Sequence, residues 1–115
     1  MSTTEIENMY DACLAGISGW IDDGLAGRGA ETIAMHRTMK VAEEAGEVIA
    51  AVIGWTGANP RKGHTHTRED VIAELLDAAV ASLGAVEHLT KNKGLSRSML
   101  DRKILEVAIR AGVAS

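Results

Sequence analysis

The sequence predicts an all-α protein built as a four-helix bundle, and three observations predict it. Ala, Val, Ile, Leu and Met carry the apolar content while aromatic residues make up 3% and Phe is absent. That balance favours a helical core over a sheet rich in β-branched and aromatic side chains. Apolar residues also recur at intervals of three and four along four segments. Stretches holding Gly or Pro separate these segments by short connections, as in an up-and-down bundle. A chain of 115 residues fits one domain, residues 1–115, with a modest core that association often extends.

The first helix spans about 4–22. "STTE" offers a capping-box start, and Ile6, Met9, Tyr10, Cys13, Leu14, Ile17 and Ile21 recur at helical spacing until "DDGLAGRG" breaks the pattern. The second, about 30–55, is the longest and is closed by "TGANP" with Pro60 just beyond it. Thr67 and Asp70 suit the start of a third helix over about 68–91, which "NKG" stops. Ser96 is placed to cap a last helix over about 96–111, where Met99, Leu100, Ile104, Leu105, Val107 and Ala108 are the apolar positions.

A net charge of −4 offers no general attraction for nucleic acid or an anionic membrane, so neither is an expected partner. Cys13 is alone, which excludes a disulfide framework within the chain and suggests a small buried residue in a reducing compartment. The N-terminus lacks a basic segment followed by an apolar one, and no apolar run reaches the length of a membrane span. A soluble, cytoplasmic protein is expected.

One feature of the second helix conflicts with a plain core. In "KVAEEAGEVIAAV" Glu43, Glu44 and Glu47 lie inside an apolar run. A buried carboxylate without a partner costs several kcal/mol. The third helix repeats the pattern at a constant offset of thirty: Val41/Val71, Glu44/Glu74, Glu47/Asp77 and Ala51/Ala81 coincide. Residues three apart share a helix face, so each helix presents an acidic pair beside its apolar seam. An antiparallel hairpin of these helices levels Glu44 with Asp77, and Glu47 with Glu74, to within about 6 Å. Four carboxylates brought together repel one another, and a hard divalent cation with oxygen ligands, Mg²⁺ above all, makes such a cluster tolerable.

These residues resemble a known pattern. "EExxE" at Glu43, Glu44 and Glu47 followed by "ExxD" at Glu74 and Asp77 is similar to the MazG-like all-α nucleotide pyrophosphohydrolases, over roughly residues 30–92. That superfamily includes dimeric dUTPases, dCTPases and phosphoribosyl-ATP pyrophosphohydrolases. The resemblance implies that Glu44, Glu47, Glu74 and Asp77 hold Mg²⁺, with Mn²⁺ as a substitute, and that Glu43 is the base that activates water. It further implies a nucleoside triphosphate substrate, cleaved at the α-phosphorus to a monophosphate and pyrophosphate, and a homodimer or homotetramer. A role in nucleotide-pool housecleaning follows from the resemblance alone. The chemistry is coherent, because metal ions reconcile an acidic cleft with a substrate carrying about four negative charges.

Cations near the outer phosphates are expected as well. Arg37 and Lys40 precede the acidic cluster, Lys91, Lys93 and Arg97 follow the third helix, and Arg102 and Lys103 lie on the fourth; Lys40 and Lys91 are singled out as phosphate-binding. Of Trp20, His36 and Trp55, which offer stacking faces or edges, His36 and Trp55 are the base-binding candidates. "HTH" at residues 64–66 lacks further ligands for a transition metal, and "GLAGRG" lacks the strand and ending of a phosphate-binding loop. Phosphoribosyl-ATP pyrophosphohydrolase ranks second, since "KVAEEAGEV" is also close to its segment while the long loop before residue 68 is not. A di-iron bundle is disfavoured because positions 50 and 80 hold Ala and Val rather than His. A non-enzymatic helical adaptor is the reading of a different class; it would bind no Mg²⁺ and release no pyrophosphate.

Overall fold

Helix starts depend on who accepts the first free N–H groups, and this chain uses three different devices. In the computed structural model, which describes residues 1–115, Ser2 accepts from the Glu5 N–H at 3.1 Å and opens α1, Thr3–Gly24. Thr67 and Asp70 form a reciprocal capping box at 3.2 and 2.8 Å and open α3, Arg68–Leu89. The start of α4, Ser96–Arg110, departs from expectation. Ser96 does not cap it with its side chain; the fully buried Glu87 of α3 does so from a distance, accepting from the Gly94 and Ser96 N–H groups at 2.8 Å each. The longest helix, α2, is Ala30–Thr56 and ends at Gly57 in the left-handed conformation that glycine adopts freely.

The chain is all-α, with four helices and no strand, and the helix bounds lie within two residues of those expected. The largest shift at a candidate residue falls at the end of α3. Lys91 and Asn92, at φ 66° and 57°, turn the chain out of the helix, so Lys91 stands in the turn and not on α3. No helix is long and apolar enough to cross a membrane.

The arrangement centres on α3, which packs against α2, α1 and α4, while α1 also meets α4. Two arginines tie it together. Arg37, 6% exposed, reaches from α2 to α1 and α3, donating to Asp22 at 2.8 Å, to the Ser18 carbonyl and hydroxyl at 3.2 and 3.0 Å, and to the Gly84 carbonyl at 2.9 Å. On the far side of that network His88 and Asn92 bond to Asp22 at 3.0 and 2.9 Å. Burial pushes the Asp22 carboxyl up, but hydrogen bonds from His88, Asn92 and Arg37 and the charge of His88 outweigh it and leave it below its ordinary 3.8. Arg97 joins α4 to α1 through Asp11 at 2.7 Å and pairs with Asp101 at 2.8 Å. Arg37 and Arg97 are thus structural ties rather than free cations for a phosphate.

A closed four-helix core does not form within one chain. The radius of gyration is 17.1 Å, against about 13 Å for a compact domain of this length. Only Ala51, Val71 and Ala85 are buried apolar residues, whereas Trp20, Met35, Met39, Ile49 and Leu76 are each more than half exposed. Cys13 is exposed too, not buried as its residue type suggested. The cause lies in α2, which packs mainly on α3, meets α1 through Arg37 and leaves its outer face in water.

Candidate metal centre

Antiparallel packing of α2 on α3 sets their two acidic pairs face to face. Glu44 and Ala51 are buried on the inner face of α2, and Val71 is buried on α3, so the carboxylates approach across an apolar seam. Glu44, Glu74 and Asp77 each offer an oxygen, and these oxygens lie within 4.8 Å of one another. Glu47 stands at the exposed rim. The charge of Glu44, then burial, then hydrogen bonding with Glu44 and Glu74 and the charge of Glu74 push its carboxyl above the ordinary 4.5. Glu47 thus feels the charge of Glu44 and Glu74, two of the three residues of the cluster.

Two observations test whether this group suits a cation. One buried oxygen each of Glu44 and Glu74 has no hydrogen-bond partner, a costly state for an acceptor that no protein donor relieves. The donor set is entirely carboxylate oxygen, which suits Mg²⁺, Ca²⁺ or Mn²⁺ better than Zn²⁺ or copper. Glu44, Glu74 and Asp77 would hold such an ion together, one carboxylate oxygen from each. The residues fit a hard divalent ion.

One cation of the chain already answers this charge. Lys40 Nζ lies 3.1 Å from Glu44 and 3.3 Å from Glu43, and those partners, Glu44 first, hold its ammonium above the ordinary 10.5. Glu43 is exposed and outside the cluster, joined to it through Lys40. At 100° per residue His36, Lys40, Glu43 and Glu47 fall within an arc of about 60° on one flank of α2, beside Glu44. His36 is about 12 Å along the helix before Glu44, and its Nε2 lies 3.1 Å from an Arg28 nitrogen. Trp55 is half-exposed about 12 Å beyond Glu47, with its carbonyl 2.9 Å from His64 Nδ1. Lys91 is not brought to the cluster: it lies about 20 Å beyond Asp77 along the direction of α3.

The loop after α2 closes one end of this flank. Ala50, Gly54, Asn59, Lys62, Thr65 and His66 line a cavity of about 240 Å³ there. Thr65 donates its N–H to the Gly54 carbonyl at 2.9 Å, and a Cβ on Gly54 would collide with the His66 ring and the Thr65 hydroxyl. Gly54→Ala should therefore displace the loop and destabilise the protein by about 1–3 kcal/mol, read as a lower urea midpoint. An unchanged midpoint would mean that the loop does not rest on α2 in solution. The histidines of "HTH" have separate partners, His64 at Trp55 and His66 at Thr65 and Gly54, and form no metal site with the carboxylates.

Sequence reasoning passed over Asp22, Glu87 and His88, which the structure makes central to the fold. A lone acidic residue near a helix end carries no signal of burial, and only the crossing of α1 and α3 brings Asp22 to His88, 66 residues away. The chain matches no family model, no curated protein and no solved structure.

Proposed function

We propose that the chain is a Mg²⁺-dependent nucleotide pyrophosphohydrolase of the MazG-like type, hydrolysing a nucleoside triphosphate to the monophosphate and pyrophosphate in nucleotide-pool housecleaning. The observation that carries this reading is the convergence of Glu44, Glu74 and Asp77, with buried oxygens of Glu44 and Glu74 that no protein donor satisfies. In the proposal these three and Glu47 hold Mg²⁺, or Mn²⁺ in its place. The bound ion supplies charge neutralisation of the phosphates and acidifies the attacking water.

The chain's own groups take the remaining tasks. Glu43, exposed at the flank of the cluster, is the general base that accepts the proton of that water. Lys40 is the nearest cation and exchanges its contacts with Glu43 and Glu44 for a phosphate oxygen when substrate arrives. His36 and Trp55 are the base-contacting candidates, one toward each end of α2. The working form is a homodimer or homotetramer, a reading supported by the large apolar side chains that one chain leaves in water.

The test is release of pyrophosphate and monophosphate from a panel of ribo- and deoxynucleoside triphosphates and phosphoribosyl-ATP, with and without Mg²⁺. Metal-dependent release, lost in Glu74→Ala while the helical signal persists, is the expected result. Preference for phosphoribosyl-ATP would move the chain to that activity. No release from any substrate, with no Mg²⁺ binding, would sink the enzymatic reading and leave the helical adaptor.

A further inference from the structure

Half of α2 has no partner in its own chain. Its inner face packs on α3, yet Met35, Met39, Ala42, Gly46 and Ile49 follow one another at intervals of four and three along the outer face, Ile53 continues the row to the edge of the loop cavity, and all six are exposed. At 100° per residue these six fall within an arc of about 80° centred opposite Glu44. A helix that is apolar on two opposite faces is one sandwiched between neighbours. The spacing is that of a helix–helix seam. Gly46 weakens the middle of a helix relative to Ala, and apart from its chain neighbours and the adjoining helix backbone nothing lies within 4 Å of where its Cβ would be. Nothing in one copy accounts for that glycine.

The whole chain also carries surplus surface for a second copy to cover. A compact chain of 12.1 kDa exposes about 6,000 Å² and this one exposes 8074 Å², an excess of roughly 2,000 Å² per copy. Two copies that remove this excess would share an interface of about 4,000 Å², within the range of obligate homodimers. A two-fold contact is also self-complementary, which a uniformly apolar row with small residues at its centre satisfies against itself.

We infer that the outer face of α2 packs on α2 of a second copy, antiparallel, across a two-fold axis level with Glu44. Positions summing to 88 then oppose each other: Met39 meets Ile49 of the second copy, and Ala42 meets Gly46. This names the surface of the homo-oligomer proposed above and rests on that reading, not on metal or nucleotide chemistry. Because the seam points away from Glu44, each copy keeps its four carboxylates to itself. Folding and association become one process, and thermal stability depends on protein concentration.

Size-exclusion chromatography with light scattering, at tens of micromolar, tests it on wild type, Met39→Lys, Ile49→Glu and the double variant. Wild type should have the mass of two copies or a multiple of two. Each single variant should halve that mass or unfold, because an unpaired charge then faces Ile49 or Met39 of the second copy in an apolar seam. In the double variant each lysine faces a glutamate across the axis, so the wild-type mass and helical signal should return. A monomeric wild type would overturn the homo-oligomer itself. Single variants that keep the wild-type mass would overturn the α2 seam alone and move the contact elsewhere, the shorter outward row Met9, Cys13, Gly16 and Trp20 of α1 being next. Failure of the double variant to recover would overturn the antiparallel register.

Discussion

Glu44→Gln stabilises the metal-free protein and removes its response to Mg²⁺. The wild-type chain holds Glu44, Glu74 and Asp77 within 4.8 Å of one another with Glu47 beside them, and Lys40 is the only cation paired with the set. A glutamine at position 44 removes one charge and offers an amide N–H₂ to its carboxylate neighbours. The pH dependence follows from Glu47, whose folded value is raised above the ordinary 4.5 by Glu44's charge first. A raised carboxyl contributes stability that is present below 4.5 and is lost as pH rises through its folded value. Asp22 acts in the other direction: its depressed value contributes stability present above 3.8 and lost as pH falls through the folded value. The metal-free wild type should therefore lose ground to Glu44→Gln as pH climbs from 4.5 through the folded value of Glu47. Saturating wild type with Mg²⁺ at 100 times its dissociation constant should add about 2.7 kcal/mol, on the order of 10 °C in midpoint, and the variant should gain almost none of it. Turnover should fall at least about 100-fold, since even groups that only orient metal ligands matter by 10–100-fold. Scanning calorimetry with EDTA and with Mg²⁺ reads all but the last. Equal Mg²⁺ stabilisation of both proteins would remove Glu44 from the metal set.

Arg37→Ala unfolds the protein or brings it close to unfolding. Its guanidinium is 6% exposed and makes four hydrogen bonds, one of them an ion pair with Asp22 at 2.8 Å that joins α1 to α2. Removing it strips Asp22 of its permanently charged partner, leaving His88 and Asn92, and opens a gap among buried polar groups, at about 3 kcal/mol. That is a large share of the roughly 5–15 kcal/mol that holds a domain together. The Ser18 hydroxyl loses its donor as well, and the Gly84 carbonyl loses one of its donors, keeping the Ser18 hydroxyl at 3.3 Å. Urea unfolding should show a midpoint well below wild type, while Lys40→Ala, one turn further along the exposed flank, should change it far less. Similar midpoints for the two variants would mean that Arg37 is solvated in solution.

Much of this was legible in the residues. The four helices follow from the spacing of apolar residues and from glycine-containing breaks. The acidic cluster follows from two matched pairs at an offset of thirty, because a helix converts sequence spacing into direction. Long-range polar contacts were not legible. Arg37 looks like Lys40 in a sequence, two cations three residues apart, yet one is buried among backbone carbonyls and the other lies in water. Glu87 resembles Glu43 as one more glutamate on a helix, and only the return of the chain after Asn92 places the Gly94 and Ser96 N–H groups against it.

The sequence by itself determined the helical class, the limits of the helices and the facing of Glu44 and Glu47 toward Glu74 and Asp77, since all three depend on local spacing along one or two adjacent helices. Tertiary structure decided which arginine is a tie, where α4 finds its cap, that Lys91 stands far from the carboxylates, and that α2 keeps an uncovered face. Those outcomes depend on how helices distant in sequence cross, and burial of a charge or exposure of an apolar row is settled only by what lies on the other side.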